Sequence, residues 1–193
     1  MSDVVLERAP RRQAERAADT VDRLAAAAVE ELRAVGYDRL TVRSVARRAG
    51  VAPATAYTWF GSKDHLVAEA FWRALQALPT PRPRAASSVA TRVRASMDGI
   101  GRISADDPAL AAAATAALLS SDPDVARLRR RIGALVHERL VLALGAETDP
   151  EVVDALDVVF AGALLHAGLG LFPYAEFADR MARIATLLTE GAR

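Results

Sequence analysis

Between Arg39 and Lys63 the chain carries four arginines, its single lysine and no acidic residue, although its 193 residues balance to a net charge of +1. Guanidinium and ammonium groups gathered without neutralising carboxylates suit pairing with phosphates and with the acceptor edges of bases, a recognition chemistry in which no bond is made or broken. A solvated helix face is the plainer reading of such a run, because arginine is the usual basic residue throughout this chain. Lys63 is the exception among 25 basic residues, which makes its position informative. Bond-making chemistry has no comparable support. His65, His137 and His166 are the three histidines, and no two have the spacing of a metal pair on one helical turn. No glycine-rich phosphate loop follows a strand pattern, and no Ser-His-Asp arrangement is identifiable. The residues point to a binding protein with no catalytic group, metal site or cofactor.

The elements that hold the basic run read as helices. Thr41 is an N-cap for a helix whose apolar positions Val42, Val45, Ala46 and Ala49 recur at helical spacing. Gly50 suits the left-handed residue that closes such a helix, and Val51 folds back on it. Pro53 opens a second helix, at a position where no backbone donor is needed. That helix stops at Gly61, and Ser62 caps a third that begins at Lys63. Two short helices about a Gly-containing turn form a helix-turn-helix, whose second helix fits the major groove of DNA. Upstream, the pattern predicts a helix over 19–35 with Val21, Leu24, Ala28, Leu32 and Val35 on one face, a structural backing for the pair.

Gly36-Tyr37, Leu40-Thr41-Val42-Arg43, Val45-Ala46, Ala49-Gly50-Val51, Tyr57, Phe60, Lys63 and Leu66 stand in one fixed register. In that register the stretch 16–70 resembles the DNA-binding domain of the tetracycline-repressor (TetR/AcrR) family of bacterial one-component regulators. The rest of the chain is similar to that family in length and helical layout alone. The resemblance implies that Arg43 touches phosphate or a guanine edge and that Pro53, Ala54 and Thr55 meet bases. It also implies that Tyr57, Trp59 and Lys63 contact the DNA backbone, with Thr58 among the contacts. Three departures bear on these roles. Ala52 stands where a phosphate-binding hydroxyl is common, Ala56 where leucine is usual, and Trp59 where His or Tyr is usual.

An apolar fraction of 52% with 25% charged residues is that of a globular chain, long enough for one or two domains with a sizeable core. The absence of cysteine excludes a disulfide framework and a thiolate metal site, and fits a reducing cytoplasm. The first ten residues contain acids and no long apolar core, unlike a signal peptide. Arg8, Arg11, Arg12 and Arg16 read as a basic arm before the first helix, with residues 1–15 flexible, that reaches DNA backbone or stays free. Residues 16–62 are expected to form the helix-turn-helix domain and 63–78 a connecting helix. Residues 79–88 make a Pro-rich boundary, and 89–193 a helical effector-binding and dimerisation domain. Asp107-Pro108, Asp122-Pro123 and Asp149-Pro150 repeat one helix-start device, an acceptor at the cap and a proline in the first turn, and Ser87 or Ser88 caps another. The expected fold class is all-α: an N-terminal three-helix, homeodomain-like domain followed by a C-terminal bundle of about five helices.

The uncharged segment 158–175 has the length of a weak membrane span, but Gly162, His166, Gly168, Gly170 and Pro173 interrupt it, and a buried helix is the better reading. With Phe177, Met181, Ile184 and Leu188 on the last helix, it is expected to form a two-fold dimer interface, where the resemblance also places one. Trp72, Leu75, Met97, Ile100, Leu118, Leu119, Phe160 and Leu164 are residues that fill a core or line an apolar cavity. The resemblance implies that some frame a pocket for a small, largely hydrophobic effector, with His137 and His166 as polar orienting groups. The expected function is that of a cytoplasmic homodimeric regulator, a repressor released by its effector from a near-palindromic operator in double-stranded DNA, with no membrane partner. Two alternatives stay open: a DNA-binding dimer without an effector, and a helical small-molecule-binding protein with a vestigial DNA module.

Overall fold

The computed structural model describes residues 8–191 apart from 83 and 85, with side chains from residue 16 onward. Among the described residues there are nine α-helices, one 3-10 turn and no strand. In chain order they are α1 (Arg8–Val35), α2 (Val42–Arg48), α3 (Pro53–Trp59), α4 (Lys63–Gln76), α5 (Val89–Asp106), α6 (Pro108–Leu118), α7 (Pro123–Leu144) and α8 (Pro150–Gly168), then the 3-10 turn Tyr174–Glu176 and α9 (Phe177–Gly191). The first three form the helix-turn-helix unit, α4 connects, and α5–α9 make the second bundle. Because α1 begins at Arg8, the arm expected over 1–15 is helical from that residue on; residues 1–7 lie outside the described residues. Alanine and arginine, both strong helix formers, fill this stretch, and no breaker separates it from the predicted helix after Pro10.

Six of the helix starts are explained by a side-chain cap. Thr41 and Ser44 satisfy one another's backbone N–H groups in a capping box at α2. Ser62 accepts from the His65 N–H at α4, and Ser88 from the Thr91 N–H at α5. All three Asp-Pro pairs behave alike: Asp107, Asp122 and Asp149 accept from the N–H groups of Leu110, Asp124 and Glu151, with proline in the first turn. Gly50 closes the turn after α2 at φ +64°, a conformation that a side chain strains.

In the second bundle α9 packs along α5, and Phe177 and Met181 are wholly buried there. This removes Phe177 and Met181 from the expected dimer stripe, while Ile184 and Leu188 remain half-buried. Fully burying such side chains stabilises by roughly 1.5–3 kcal/mol each, and the chain's own α5 supplies the cover. The apolar residues left exposed on the last two helices and their turn are Val158, Leu165, Leu169, Leu171 and Leu187. The uncharged run is likewise not one helix, since α8 ends at Gly168 and Gly170 turns the chain at φ +76°. Among the described residues no helix is long and apolar enough to cross a membrane.

Two cap aspartates serve a second purpose. Asp107 uses one carboxylate oxygen on its own helix and the other to accept from Arg33 Nε and Nη2 at 2.9 and 2.7 Å, tying α6 to the end of α1. Asp122 accepts from the Asp124 N–H with one oxygen and from Ser62 Oγ, at 2.5 Å, with the other. The starts of α6 and α7 are thereby fastened to the DNA-binding unit. Arg139 is a third fastening. Buried at 7% exposure, it donates to the carbonyls of Leu78 and Pro79 and holds the Pro-rich connection against α7.

Candidate nucleic-acid interface and ligand cleft

Helix α3 is seven residues long and buries one of them, Ala56. Pro53, Ala54, Thr55, Tyr57, Thr58 and Trp59 are exposed, Tyr57 by 52% and Trp59 by 40%. A helix this short is marginal alone, so its mounting matters. Ala56, Phe60 and Val45 pack in the core beneath it, with Leu66 of α4 and Leu24 of α1 in the same cluster. Arg23 of α1 donates to the carbonyls of Ala49 and Gly50, strapping the turn between α2 and α3. Ala52 makes no side-chain cap, as its methyl group dictates. Thr58 Oγ1 donates back to the Ala54 carbonyl, which leaves an oxygen lone pair directed outward.

The basic run divides. Arg48 is engaged with Glu31 at 2.7 Å and approaches Glu30, and this guanidinium, opposed by burial, holds the Glu31 carboxyl below its ordinary range. Arg43 and Arg47 sit one turn apart on the exposed face of α2, with no carboxylate in ion-pair range among the described residues. Arg47 was not singled out by sequence, though its i,i+4 relation to Arg43 was visible there. Lys63 Nζ donates to the Tyr37 carbonyl at 3.0 Å and lies 4.3 Å from that ring's centre. Tyr37 in turn donates to Asp64 at 2.5 Å, and burial followed by that bond raises its hydroxyl pKa, so it stays a donor. The lysine is thus posted at the start of α4, with two N–H donors remaining.

The sequence-predicted effector residues separate into three groups. Leu118, Leu119, His137, Phe160 and Leu164 line one cleft of about 710 Å³ between α6, α7 and α8, together with Phe71 of α4. Trp72 and Leu75 lie apart, beside a smaller hollow of about 230 Å³ near the Pro-rich connection. Met97 and Ile100 are completely buried and line neither space, so they are core; His166 is exposed and faces neither. Sequence reasoning missed Thr115, Arg129, Ile132, Gly133, Val136, Asp157 and Gly162 on the main cleft. A signal existed for two: Gly133 and Gly162 interrupt otherwise helix-forming runs. His137 Nδ1 hydrogen-bonds Asp157 at 2.6 Å, and Asp154 is near enough for the three to share a cation. The ligand atoms come from two helices, so one-turn spacing did not reveal them; the hydrogen bond accounts for the pairing as it stands.

A strapped helix pair with an outward aromatic and hydroxyl face, next to unpaired arginines, is equipped for duplex DNA. Residues 24–70 match the family described as bacterial regulatory proteins, tetR family. An uncharacterized HTH-type transcriptional regulator of Mycobacterium bovis is 42% identical over 209 residues, covering 99% of this chain and 95% of that protein. The chain belongs to the TetR family. The HTH-type transcriptional repressor KstR of Mycolicibacterium smegmatis is 30% identical over 112 residues, 56% of this chain and 55% of that protein. In fold, the crystal structure of a TetR transcriptional regulator from Rhodococcus sp. RHA1 is similar with a TM-score of 0.72 at 22% identity, covering 90% of this chain and 96% of that one. As a TetR-family chain the protein is a transcriptional regulator and not an enzyme. The all-α layout expected from sequence, a helix-turn-helix unit followed by a helical bundle, is the one observed.

Proposed function

We propose that this TetR-family regulator is a cytoplasmic homodimeric repressor, released from a near-palindromic operator by a small, largely hydrophobic effector. The observation that carries the reading is α3 itself, which buries Ala56 and presents the rest of its length on a rigid mount. In this reading Thr55, with Pro53 and Ala54, meets base edges, while Arg43, Tyr57, Thr58, Trp59 and Lys63 hold the backbone. Two copies related by a two-fold axis place their α3 helices in major grooves about one helical turn apart. The exposed apolar stripe on α8 supports the pairing, and the similarity to a repressor supports the sign of regulation.

The cleft supports an effector. It touches α4 at Phe71, two turns beyond Lys63, and it touches α6 and α7, whose starts are tied to Arg33 and Ser62. A ligand that binds better when these helices shift will displace the dimer from DNA by that difference in affinity. The test is selection from random duplex DNA at fixed, near-physiological salt. An enriched near-palindrome is expected. Enrichment of nothing by a protein with native circular dichroism would reduce the helix-turn-helix to a scaffold and leave a helical small-molecule-binding protein.

A further inference from the structure

We propose that the cleft between α6, α7 and α8 takes an elongated lipophilic carboxylic acid, its carboxylate seated on Arg129 and its apolar body laid over Gly133 toward His137. The proposal rests on reading the second bundle as effector-binding, and it names the chemistry of that effector. Two observations converge on it.

The first concerns room. Gly133 and Gly162 lie inside α7 and α8, and neither is among the positive-φ glycines. A Cβ built on either meets no atom within 4 Å, so neither turn geometry nor close packing within the chain asks for glycine. Glycine inside a helix is less stable than alanine. Both residues line the same cleft, and what their missing side chains provide is open space over its floor and wall. The remaining lining of Phe71, Leu118, Ile132, Val136, Phe160 and Leu164 is apolar.

The second concerns charge. Four lining residues are polar: Thr115, Arg129, His137 and Asp157. Thr115 donates to the Ala111 carbonyl, and Asp157 has His137 as its partner. Arg129 uses Nη1 on the carbonyls of Leu118 and Ser120, which steadies the guanidinium at the end of α6. Among the described residues no carboxylate comes within ion-pair range of it, whereas its neighbour Arg127 pairs with Asp124. Its Nε and Nη2 donors remain, in the fork that matches a carboxylate. One guanidinium balances one negative charge. From Arg129 to His137 is eight residues of α7, about 12 Å at the helical rise. An occupant that is anionic at one end and apolar along its length satisfies the cation and the apolar walls.

Titration calorimetry on the full chain decides the matter, using straight-chain acids from octanoate to hexadecanoate below their micelle concentrations, each against its matching alcohol. The acids should bind about tenfold more tightly than the alcohols. Arg129→Gln should abolish that preference while leaving alcohol binding in place. Gly133→Leu, which fills the cleft from an exposed helix position, should lose both ligands by more than tenfold yet keep DNA binding, oligomeric state and melting temperature. Equal binding of acid and alcohol, or a preference that survives Arg129→Gln, would overturn the carboxylate assignment and leave an uncharged effector. Binding that persists in Gly133→Leu would remove this cleft as the site. No binding of either series would overturn the proposal, and an enriched operator in the DNA selection would show that the reading of the first domain stands regardless.

Discussion

Lys63 sits at the junction of the two domains with its amine over the Tyr37 ring and one hydrogen bond to the Tyr37 carbonyl. The contact orients the charge without neutralising it, which suits a phosphate partner whose position is known in advance. Lys63→Ala should weaken binding to all duplex sequences about equally and lower the salt dependence by roughly one unit of log–log slope. Titrations at several salt concentrations check this, and an unchanged slope would take Lys63 off the contact surface. His65, two residues on, is packed edge-on against Phe60 with a buried Nδ1 that has no hydrogen-bond partner. Burial pushes its pKa below the ordinary 6.5, the neighbouring Asp122 opposing and Arg127 assisting. The unfolded chain therefore holds that proton more readily than the folded one. Stability is whole above the ordinary value and falls as the pH drops through it. Urea midpoints measured from about pH 7 to pH 5 should decline in the wild type and flatten in His65→Gln; parallel curves would assign the acid sensitivity elsewhere.

Among the elements, α6 and α7 have the most to transmit. Each starts at an aspartate that caps its own helix and holds the DNA-binding unit, and each forms part of the cleft. Asp107→Ala removes a cap and a charge-assisted tie together, and should cost about 1–3 kcal/mol. Arg33→Ala leaves the cap in place and, with Arg33 mostly exposed, should cost less than about 1 kcal/mol. Chemical denaturation separates the two, and equal losses would mean that the tie outweighs the cap. The cap was legible in the Asp-Pro spelling of the sequence. The tie was not, because Arg33 and Asp107 are 74 residues apart and neither is unusual where it stands.

For the whole molecule, the proposed pairing of two copies requires an exposed apolar face. Of the predicted stripe, Phe177 and Met181 are taken up by α5 while Ile184 and Leu188 stay half-buried, and Val158 of α8, with Leu169 just after it, is offered to a second chain. Val158 is 74% exposed and stands outside the cleft, so Val158→Glu tests pairing without disturbing the ligand site or the core. Sedimentation should show monomers with little loss of folding stability, and operator affinity should fall by the loss of the second reading head. An intact dimer would place the contact on another face.

The capped helix starts, the turn at Gly50 and the register of the reading head were available from the sequence because each depends on residues within a few positions of one another: a hydroxyl or carboxylate two or three residues ahead of an N–H, a glycine where a side chain strains, a proline where no donor is needed. The family was legible for the same reason, since residues 24–70 hold their motif in one short stretch. Which apolar side chains fill the core and which leave space was decided by the tertiary structure alone. Met97 and Leu118 are alike as hydrophobic helix residues, yet Met97 is enclosed by helices on every side and Leu118 faces a gap that Gly133 and Gly162 keep open. Local rules act along the backbone and can be read from it. Packing depends on what comes from elsewhere in the chain, and that is settled when the helices meet.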